Sequence, residues 1–242
     1  MIRIESLQKQ FGDKTAVDIS ELYIHQGEMI GLVGNNGAGK TTLFRLMLDL
    51  IKATKGEVHY VSEGNEPTFD INPAQSEDWK NFTGAYIDEG FLIDFLTPDE
   101  FFDFVGKTCD MDQEAIEEEK SKFEDFCNGE IFGQKKLIRD LSAGNKQKIG
   151  IIAALFNHPK IVLLDEPFNF LDPSSQIKLK RILKAYHEQT GATVIVNSHN
   201  LQHTIDISSR ILLLERGSII KDKDNKDGNA AEELLDYFKI EA

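Results

Sequence analysis

A glycine-rich octet near the amino terminus constrains the fold of this chain more than any other feature. Directly before it, the apolar segment Met29–Val33 predicts a short buried strand. After it, apolar residues recur at helical spacing on one face of a predicted helix: Leu43, Leu46, Met47 and Leu50. A strand, a glycine-rich turn and a helix in this order predict an α/β sheet, with the turn at the carboxyl end of the strand.

The octet has the spacing of a phosphate-binding loop, in which a glycine and four further residues precede Gly-Lys-Ser/Thr. Its glycines permit a backbone that turns successive N–H groups towards phosphates, and the helix starting near Gly39 adds the positive end of its dipole. We expect Lys40 to reach the β- and γ-phosphates of ATP and the Thr41 hydroxyl to coordinate Mg²⁺. The strand before and the helix after disfavour the alternative, an incidental glycine-rich turn. The expected ATP-binding residues of this segment are Gly34, Asn35, Asn36, Gly37, Ala38, Gly39, Lys40, Thr41 and Thr42.

Two adjacent acids follow a second apolar run. The run at 161–164 is typical of a parallel strand that is buried on both faces, and Asp165 and Glu166 come directly after it. On their own, such acids are common at strand ends and as helix caps. Downstream of a phosphate loop, they predict that Asp165 holds Mg²⁺ through water, opposite Thr41. They also predict that Glu166 is the general base for an attacking water.

Composition limits the classes of function. A length of 242 residues suits one large domain or two small ones, and two cysteines without metal-like spacing, Cys109 and Cys127, fit a reduced cytosolic compartment. The formal net charge of −14 argues against a broad nucleic-acid surface, so we expect no nucleic-acid partner. The longest apolar stretches span about four to six residues, against roughly 20 for a membrane span, so we expect no crossing of a membrane by this chain.

The remaining segments predict an α/β fold built on a P-loop NTPase core with a mostly parallel sheet. Alternating residues at 2–7 and 16–24, with a hairpin turn at 11–14, predict an antiparallel β subdomain at the amino terminus. A helical texture over 97–140, including a predicted helix at 112–127, indicates a helical subdomain inserted at about 90–145 into one domain spanning 1–242. Residues 62–80 are predicted to form an exposed loop. Three apolar residues predict an amphipathic helix in the charged tail: Leu234, Leu235 and Phe238.

A third motif has little meaning by itself. Leu141 and Ser142 are followed by Ala143, Gly144 and Asn145, and Ser142 is an ordinary N-cap for a helix predicted at 143–157. The motif nevertheless follows the helical insert and precedes the Asp165 strand by about twenty residues. At this point the chain resembles the ATP-binding-cassette (ABC) ATPase family, whose signature reads Leu-Ser-Gly-Gly-Gln. The resemblance implies that residues 142–145 of one subunit close over the γ-phosphate held by the other.

The resemblance extends over about residues 11–220 and implies further roles. Phe11 stands where the family stacks an aromatic residue on adenine, and Glu89 where a lid residue touches Mg²⁺ and water. Asp172 matches a loop that contacts the opposite subunit, and His199 matches a switch histidine that contacts the γ-phosphate. Two alternatives stay open, since Phe11 also suits an apolar hairpin contact and Asp172 also suits a plain helix cap.

Several positions depart from the family pattern. Ala143 replaces the usual glycine and Asn145 the usual glutamine, which favours an altered contact with the opposite nucleotide. Glu89 replaces the usual glutamine, as in subunits of the export-type branch, so export is expected over import. Asn169 and Phe170 are unusual before the loop that ends at Asp172. None of these changes removes the loop lysine or the two acids, so we expect an active ATPase.

The resemblance implies an ATP-hydrolysing subunit that uses ATP and Mg²⁺, with Glu166, His199 and Lys40 as catalytic residues. Two copies, or one copy with a similar subunit, are expected to form a dimer that drives integral membrane permease subunits. The expected location is cytoplasmic, peripheral on the inner face of the cell membrane. Two alternatives stay open: a soluble, non-transport ABC ATPase, for example in cluster assembly, and a weakly active regulatory cassette.

Overall fold

The computed structural model describes residues 1–62, 68–225 and 228. The strands are β1 (Ile2–Phe11), β2 (Lys14–Ile24), β3 (Met29–Val33), β4 (Lys55–Val61), β5 (Asp70–Ile71), β6 (Thr83–Tyr86), β7 (Ile161–Asp165), β8 (Thr193–Asn197), β9 (Arg210–Glu215) and β10 (Ser218–Asp224). The helices are α1 (Lys40–Met47), α2 (Pro98–Thr108), α3 (Gln113–Lys122), α4 (Glu124–Cys127), α5 (Ala143–Leu155), α6 (Pro173–Thr190) and α7 (Leu201–Ile207). None of the helices in this part of the chain has the length and apolar character that a membrane span requires. The tail helix predicted from Leu234, Leu235 and Phe238 lies outside the described residues.

The amino-terminal strands form a four-stranded sheet in the order β2-β1-β4-β5. β1 and β2 pair antiparallel up to Phe11 and Lys14, and the turn between them includes Gly12 with a φ of 57°. Ile4, Leu7 and Val17 are fully buried, because this sheet covers the core with one face only. The antiparallel β subdomain predicted at the amino terminus is confirmed.

A six-stranded sheet forms the centre of the molecule in the order β10-β9-β3-β8-β7-β6. Its strands pair in parallel except for the edge strand β10, which runs antiparallel to β9. Every residue of β3, β7 and β8 is buried, as expected for strands covered on both faces. The predicted, mostly parallel core is confirmed. Its register aligns Asp165 with Asn197, so the carboxyl ends of β7 and β8 meet at one edge of the sheet.

Helices α2, α3 and α4 lie between β6 and α5 in the chain and pack on a shared apolar cluster. Its fully buried members include Phe102, Ile116 and Phe126, and the rings of Phe102 and Phe156 lie 5.1 Å apart. The predicted helical insert is therefore present. The single helix predicted at 112–127 is wrong, because α3 ends at Lys122 and α4 starts at Glu124, with Phe123 between them outside helical geometry.

The exposed loop predicted over 62–80 is confirmed for most of its described residues and is wrong at two places. β5 pairs with β4, and a 3₁₀ turn at Asp78–Asn81 inserts Trp79, which is 7% exposed. The Trp79 ring stacks on Tyr60 with 6.2 Å between centroids. One large aromatic residue therefore anchors an otherwise polar segment, and the average polarity of the segment conceals it.

The helix after the octet is shorter than its apolar spacing predicts. Leu43, Leu46 and Met47 are buried on one face of α1, as expected. The chain then leaves the helix, since Asp49 has a left-handed φ of 50°, and Leu50 is 44% exposed. The prediction that Leu50 shares the buried face is therefore wrong.

Candidate active site

The glycine-rich octet joins the carboxyl end of β3 to the first residue of α1. Gly39 has a φ of 111°, which favours glycine, and a Cβ on it would lie 2.2 Å from the carbonyl oxygen of Ala16. A Cβ on Gly34 would lie 2.2 Å from the carbonyl oxygen of Leu214. Any larger residue at either position would push the loop away from β2 or β9. The glycines are therefore required by packing as well as by backbone conformation.

Lys40 lies along this loop with only 6% of its surface exposed. Its Nζ donates hydrogen bonds to the carbonyl oxygens of Gly34, at 2.6 Å, and Asn35, at 3.2 Å. Burial lowers the pKa of Lys40 from its ordinary value, while the carboxylates of Glu166 and Asp165 act in the opposite direction. The loop thus holds a partly desolvated cation, which is suited to a phosphate group.

Asp165 ends β7 and is 5% exposed. It accepts a hydrogen bond from Nδ2 of Asn197, and the Thr41 hydroxyl lies near enough to favour its ionised form. Burial raises the pKa of Asp165, and the charge of Glu166 adds to the rise, while Thr41, Asn197 and Lys40 oppose it. A buried carboxylate of this kind is stabilised by a cation.

The residues at this position suit Mg²⁺. A hydroxyl and a carboxylate are hard oxygen ligands of the kind that Mg²⁺ prefers, and the side chains of Thr41 and Asp165 lie near each other. Over residues 1–62, 68–225 and 228, no cluster of three or more His, Cys, Asp or Glu side chains could hold a metal ion. A metal at Thr41 and Asp165 would therefore need further ligands from water or from the phosphates of a nucleotide.

Glu166 and His199 also meet at this edge of the sheet. Nδ1 of His199 lies 2.7 Å from Oε2 of Glu166, although the residues are 33 positions apart in the chain. Glu166 adopts a left-handed φ of 48°, which is costly for a residue with a side chain. Its backbone N–H donates to the carbonyl oxygen of Asn197 at 2.8 Å. The carboxylate and the imidazole predicted as catalytic residues therefore form one pair.

A cleft of about 420 Å³ runs along the loop and the first turn of α1, and Glu166 lines it whereas Asp165 and His199 do not. Its lining residues are Phe11, Lys14, Ala16, Asn36, Gly37, Gly39, Lys40, Thr41, Thr42, Glu166 and Asn197. Phe11 is 52% exposed at the open end of the β1–β2 hairpin, and Nζ of Lys9 lies 4.9 Å from its ring centroid. Such exposure fits a ring that stacks on a ligand better than an apolar contact within the hairpin.

Ser142 and Gly144 lie outside this cleft. Ser142 is the N-cap of the 13-residue helix α5, and its Oγ accepts from the backbone N–H of Asn145 at 3.3 Å. Gly144 packs against the backbone of Phe170, whose carbonyl oxygen would lie 2.8 Å from a Cβ at this position. Ala143 lines a second cleft of about 160 Å³, together with Glu89 and both acids of β7.

Glu89 lies on the lid segment between β6 and α2, in a 3₁₀ turn at Glu89–Phe91. Its carboxylate forms an ion pair with Nζ of Lys146 on α5 at 3.1 Å. Glu89 therefore lies beside the second cleft and is linked to the helix that carries Ser142. It does not line the phosphate-loop cleft with Thr41 and Glu166.

Asp172 is the N-cap of α6. Its carboxylate accepts from the backbone N–H groups of Ser174, at 2.9 Å, and Ser175, at 3.0 Å, and from the Ser175 hydroxyl at 2.6 Å. These bonds lower the pKa of Asp172 well below its ordinary value, and the bonds from Ser175 have the largest effect. The alternative interpretation of Asp172 as a helix cap therefore holds, and its role in a subunit contact stays a prediction.

Two polar residues of the site are absent from the sequence-based prediction. Asn197 lines the cleft, and Gln147 of α5 donates from Nε2 to the carbonyl oxygen of Glu166 at 2.9 Å. The Gln147 amide oxygen in turn accepts from the Tyr86 hydroxyl at 3.3 Å. A signal for Asn197 exists in the sequence, since a single amide ends the apolar run of β8 at its carboxyl end.

Comparison with known proteins agrees with this geometry. The ABC transporter family model matches residues 17–169, more than half of the chain. An uncharacterized ABC transporter ATP-binding protein of Bacillus subtilis, YhaQ, is 32% identical over 90% of this chain and 69% of its own length. Methionine import ATP-binding protein MetN 1 of Oceanobacillus iheyensis is 31% identical over 91% of this chain and 65% of its own. Among the first curated relatives that it matches, the chain spans 53%, 69% and 76% of their lengths.

A bacterial ABC transporter cassette whose structure was solved as a dimer has the same fold. The two structures superpose with a TM-score of 0.80 at 24% identity, over 93% of this chain and 99% of that one. The likeness in structure covers the central sheet, the amino-terminal sheet and the helical insert together, while the sequence match includes the loop and both acids. The chain therefore belongs to the ABC transporter family.

Proposed function

We propose that this chain binds ATP with Mg²⁺ in the phosphate-loop cleft and hydrolyses it with Glu166 as the general base. The observation that carries this proposal is the meeting of two pairs at one sheet edge, Thr41 with Asp165 and Glu166 with His199. The first pair suits a metal ion, and the second suits proton transfer from a water that faces the cleft.

Each residue has one task in the proposed reaction. The loop N–H groups and Lys40 bind the phosphates and neutralise their charge. Thr41 and Asp165 hold Mg²⁺, which stabilises negative charge on the phosphate oxygens when bound. Water attacks the γ-phosphorus, the bond from this phosphorus to the β–γ bridging oxygen breaks, and ADP leaves with that oxygen. Glu166 takes the proton of the water, and His199 holds the Glu166 carboxylate in place and contacts the γ-phosphate.

The site is proposed to be completed by a second subunit, either another copy or a similar chain. Ser142 and Gly144 lie at the amino end of α5, where a hydroxyl and free backbone N–H groups suit an anion. They lie outside the cleft of their own chain, which favours contact with the nucleotide of another subunit. The γ-phosphate would then bond both halves and favour the closed dimer. Asp172 is proposed to contribute to the same interface.

The partner is proposed to be an integral membrane permease, with this chain peripheral on the cytoplasmic face. Supporting this, two aromatic residues beside the lid are exposed, Phe91 at 47% and Phe95 at 65%. Apolar side chains of this size at a surface favour contact with a partner protein. The lid also carries Glu89, whose ion pair with Lys146 links it to α5, so partner contact and site closure share one segment. Export, favoured by Glu89, stays a prediction, since MetN 1 is named as an import protein.

A second candidate, a weakly active regulatory cassette, is favoured by Ala143 and Asn145 in the signature. Release of phosphate from ATP by the purified chain with Mg²⁺ separates the two candidates. Active hydrolysis predicts steady release that falls at least about 100-fold in Glu166→Gln, since general base catalysis contributes roughly 10²–10⁴-fold. Glu188→Gln, an exposed change on α6, is the matched control and should keep the wild-type rate. Equal rates in wild type and Glu166→Gln would refute Glu166 as the base.

A further inference from the structure

Asn197 touches both acids of the site. It ends β8, is 1% exposed, and pairs with Asp165 in the register of the parallel sheet. Its Nδ2 donates to the Asp165 carboxylate, and its backbone carbonyl accepts from the N–H of Glu166 at 2.8 Å. Asn197 therefore fixes the side chain of one acid and the backbone of the next.

The amide oxygen of Asn197 has no hydrogen-bond partner among the residues that the structure describes. Buried side-chain acceptors are nearly always paired with protein or water, so this one indicates a missing donor. The amide cannot be reversed to solve this, because Oδ1 would then face the Asp165 carboxylate, which is an acceptor. Since Asn197 lines the cleft together with Thr41 and Glu166, the missing donor belongs in the cleft.

Few chemical groups can be the missing donor to the Asn197 amide oxygen. The phosphate oxygens of a nucleotide accept hydrogen bonds and offer no proton to an amide oxygen near neutral pH. Lys40, the cation of the loop, donates two of its three N–H groups to Gly34 and Asn35, and the third is assigned to the phosphates. A water molecule can donate a proton to a buried acceptor of this kind.

We propose that Asn197 is a positioning residue that holds a water molecule at the carboxyl ends of β7 and β8. Its Oδ1 accepts from this water while its Nδ2 orients Asp165. The inference rests on the proposed function and adds a residue to it. Two waters have this chemistry, one bound to Mg²⁺ and one that attacks the γ-phosphorus, and the experiment below distinguishes them.

The test uses the full chain with Asn197→Leu, which has the same number and branching of side-chain heavy atoms but no polar atoms, and with Asn197→Thr, which keeps one donor and one acceptor. Thermal stabilisation is measured with ADP in a metal chelator, and then with ADP and increasing Mg²⁺. Steady-state phosphate release gives kcat and KM. Val196→Ala, on the neighbouring buried residue of β8, controls for loss of packing.

Asn197→Leu should keep stabilisation by ADP without metal within about twofold of the wild type. For a metal-bound water, the Mg²⁺ concentration giving half-maximal stabilisation should rise about 10-fold, as is typical for residues that orient metal ligands. For the attacking water, that concentration should stay constant, and kcat at saturating ATP and Mg²⁺ should fall about 10- to 100-fold with little change in KM. Asn197→Thr should recover part of whichever loss is seen, and Val196→Ala should show neither.

Two results would overturn the inference. One is an unchanged Mg²⁺ requirement together with an unchanged kcat in Asn197→Leu. The other is loss of ADP binding without metal, which would assign Asn197 a structural role. If the wild type itself is not stabilised by ADP with Mg²⁺, the proposed function fails instead, so the two failures are distinguishable.

Discussion

Phe11 and Lys40 both line the phosphate-loop cleft and divide the expected contacts with ATP. Lys40 is buried and tied to the loop backbone, whereas Phe11 is half exposed at the end of a hairpin. We therefore assign the phosphates of ATP to the loop and its adenine base to the ring of Phe11. This division can be tested by ligands that carry only one of the two parts.

Phe11→Ala should weaken ATP binding about 10-fold, because stacking of a base on an aromatic ring contributes about 1–3 kcal/mol. Phe11→Tyr keeps a ring of similar shape and should bind within about twofold of the wild type. Calorimetric titration with ATP and with tripolyphosphate measures both parts. Tripolyphosphate, which has no base, should bind Phe11→Ala as well as it binds the wild type. A loss of tripolyphosphate affinity of the same size would assign Phe11 to the phosphates or to folding.

At the residue scale, the sequence predicted best where the backbone itself leaves no choice. Gly34 and Gly39 lie so close to neighbouring carbonyl oxygens that only glycine fits. The presence of glycine at these positions already indicates this requirement in the sequence. The sequence does not identify Asn197 as a site residue, because an amide at the end of an apolar strand can equally well be a cap without a role in the site. Gln147 escaped because its partner, the Glu166 carbonyl, is distant in sequence.

Asp172 has two roles at the start of helix α6. It caps the helix, and it is predicted to contact another subunit. Asp172→Ala should lower Tm by about 2–4 °C at pH 7, the effect of losing an N-cap in a chain of this size. Asp172→Asn keeps a capping oxygen and should retain most of that Tm. A weaker dimer in Asp172→Asn, with its Tm retained, would separate the subunit contact from the cap.

The same cap predicts a pH dependence. The pKa of Asp172 is lower in the folded chain than in the unfolded chain, because the folded state bonds the ionised form. The ionised Asp172 therefore stabilises the fold fully above the pKa that it has in the unfolded chain, about 3.9. This stabilisation is lost as the pH falls through the lower pKa of the folded chain. Thermal unfolding at pH 7 and pH 3 should show a smaller Tm difference between wild type and Asp172→Ala at pH 3. A difference that grows towards pH 3 would contradict this origin of the lowered pKa.

At the scale of elements, long periodic segments were predicted correctly and their local interruptions were not. The buried strands β3, β7 and β8 are apolar throughout, so their burial is evident from composition. The break between α3 and α4 at Phe123 leaves the apolar spacing nearly intact, so periodicity does not reveal it. Trp79 was hidden in a polar segment because its partner, Tyr60, lies on another strand.

At the scale of the whole molecule, three parts contribute to one site. The central sheet supplies Asp165, Glu166 and His199, the amino-terminal sheet supplies Phe11, and the helical insert leads into α5. Gln147 connects α5 to the Glu166 backbone within one chain. Movement of α5 against a second subunit would therefore change the position of Glu166, the proposed base. This coupling depends on whether the amino end of α5 closes on a nucleotide held by another copy.

Light scattering after size exclusion, with Glu166→Gln saturated with ATP and Mg²⁺, measures whether two copies share a nucleotide. We expect twice the chain mass of 27.3 kDa with ATP and the mass of a single chain without it. Addition of Lys40→Ala, which removes the loop cation, or of Ser142→Arg, which blocks the amino end of α5, should return the protein to single chains. A single-chain mass with ATP demonstrably bound would contradict a nucleotide shared between two copies.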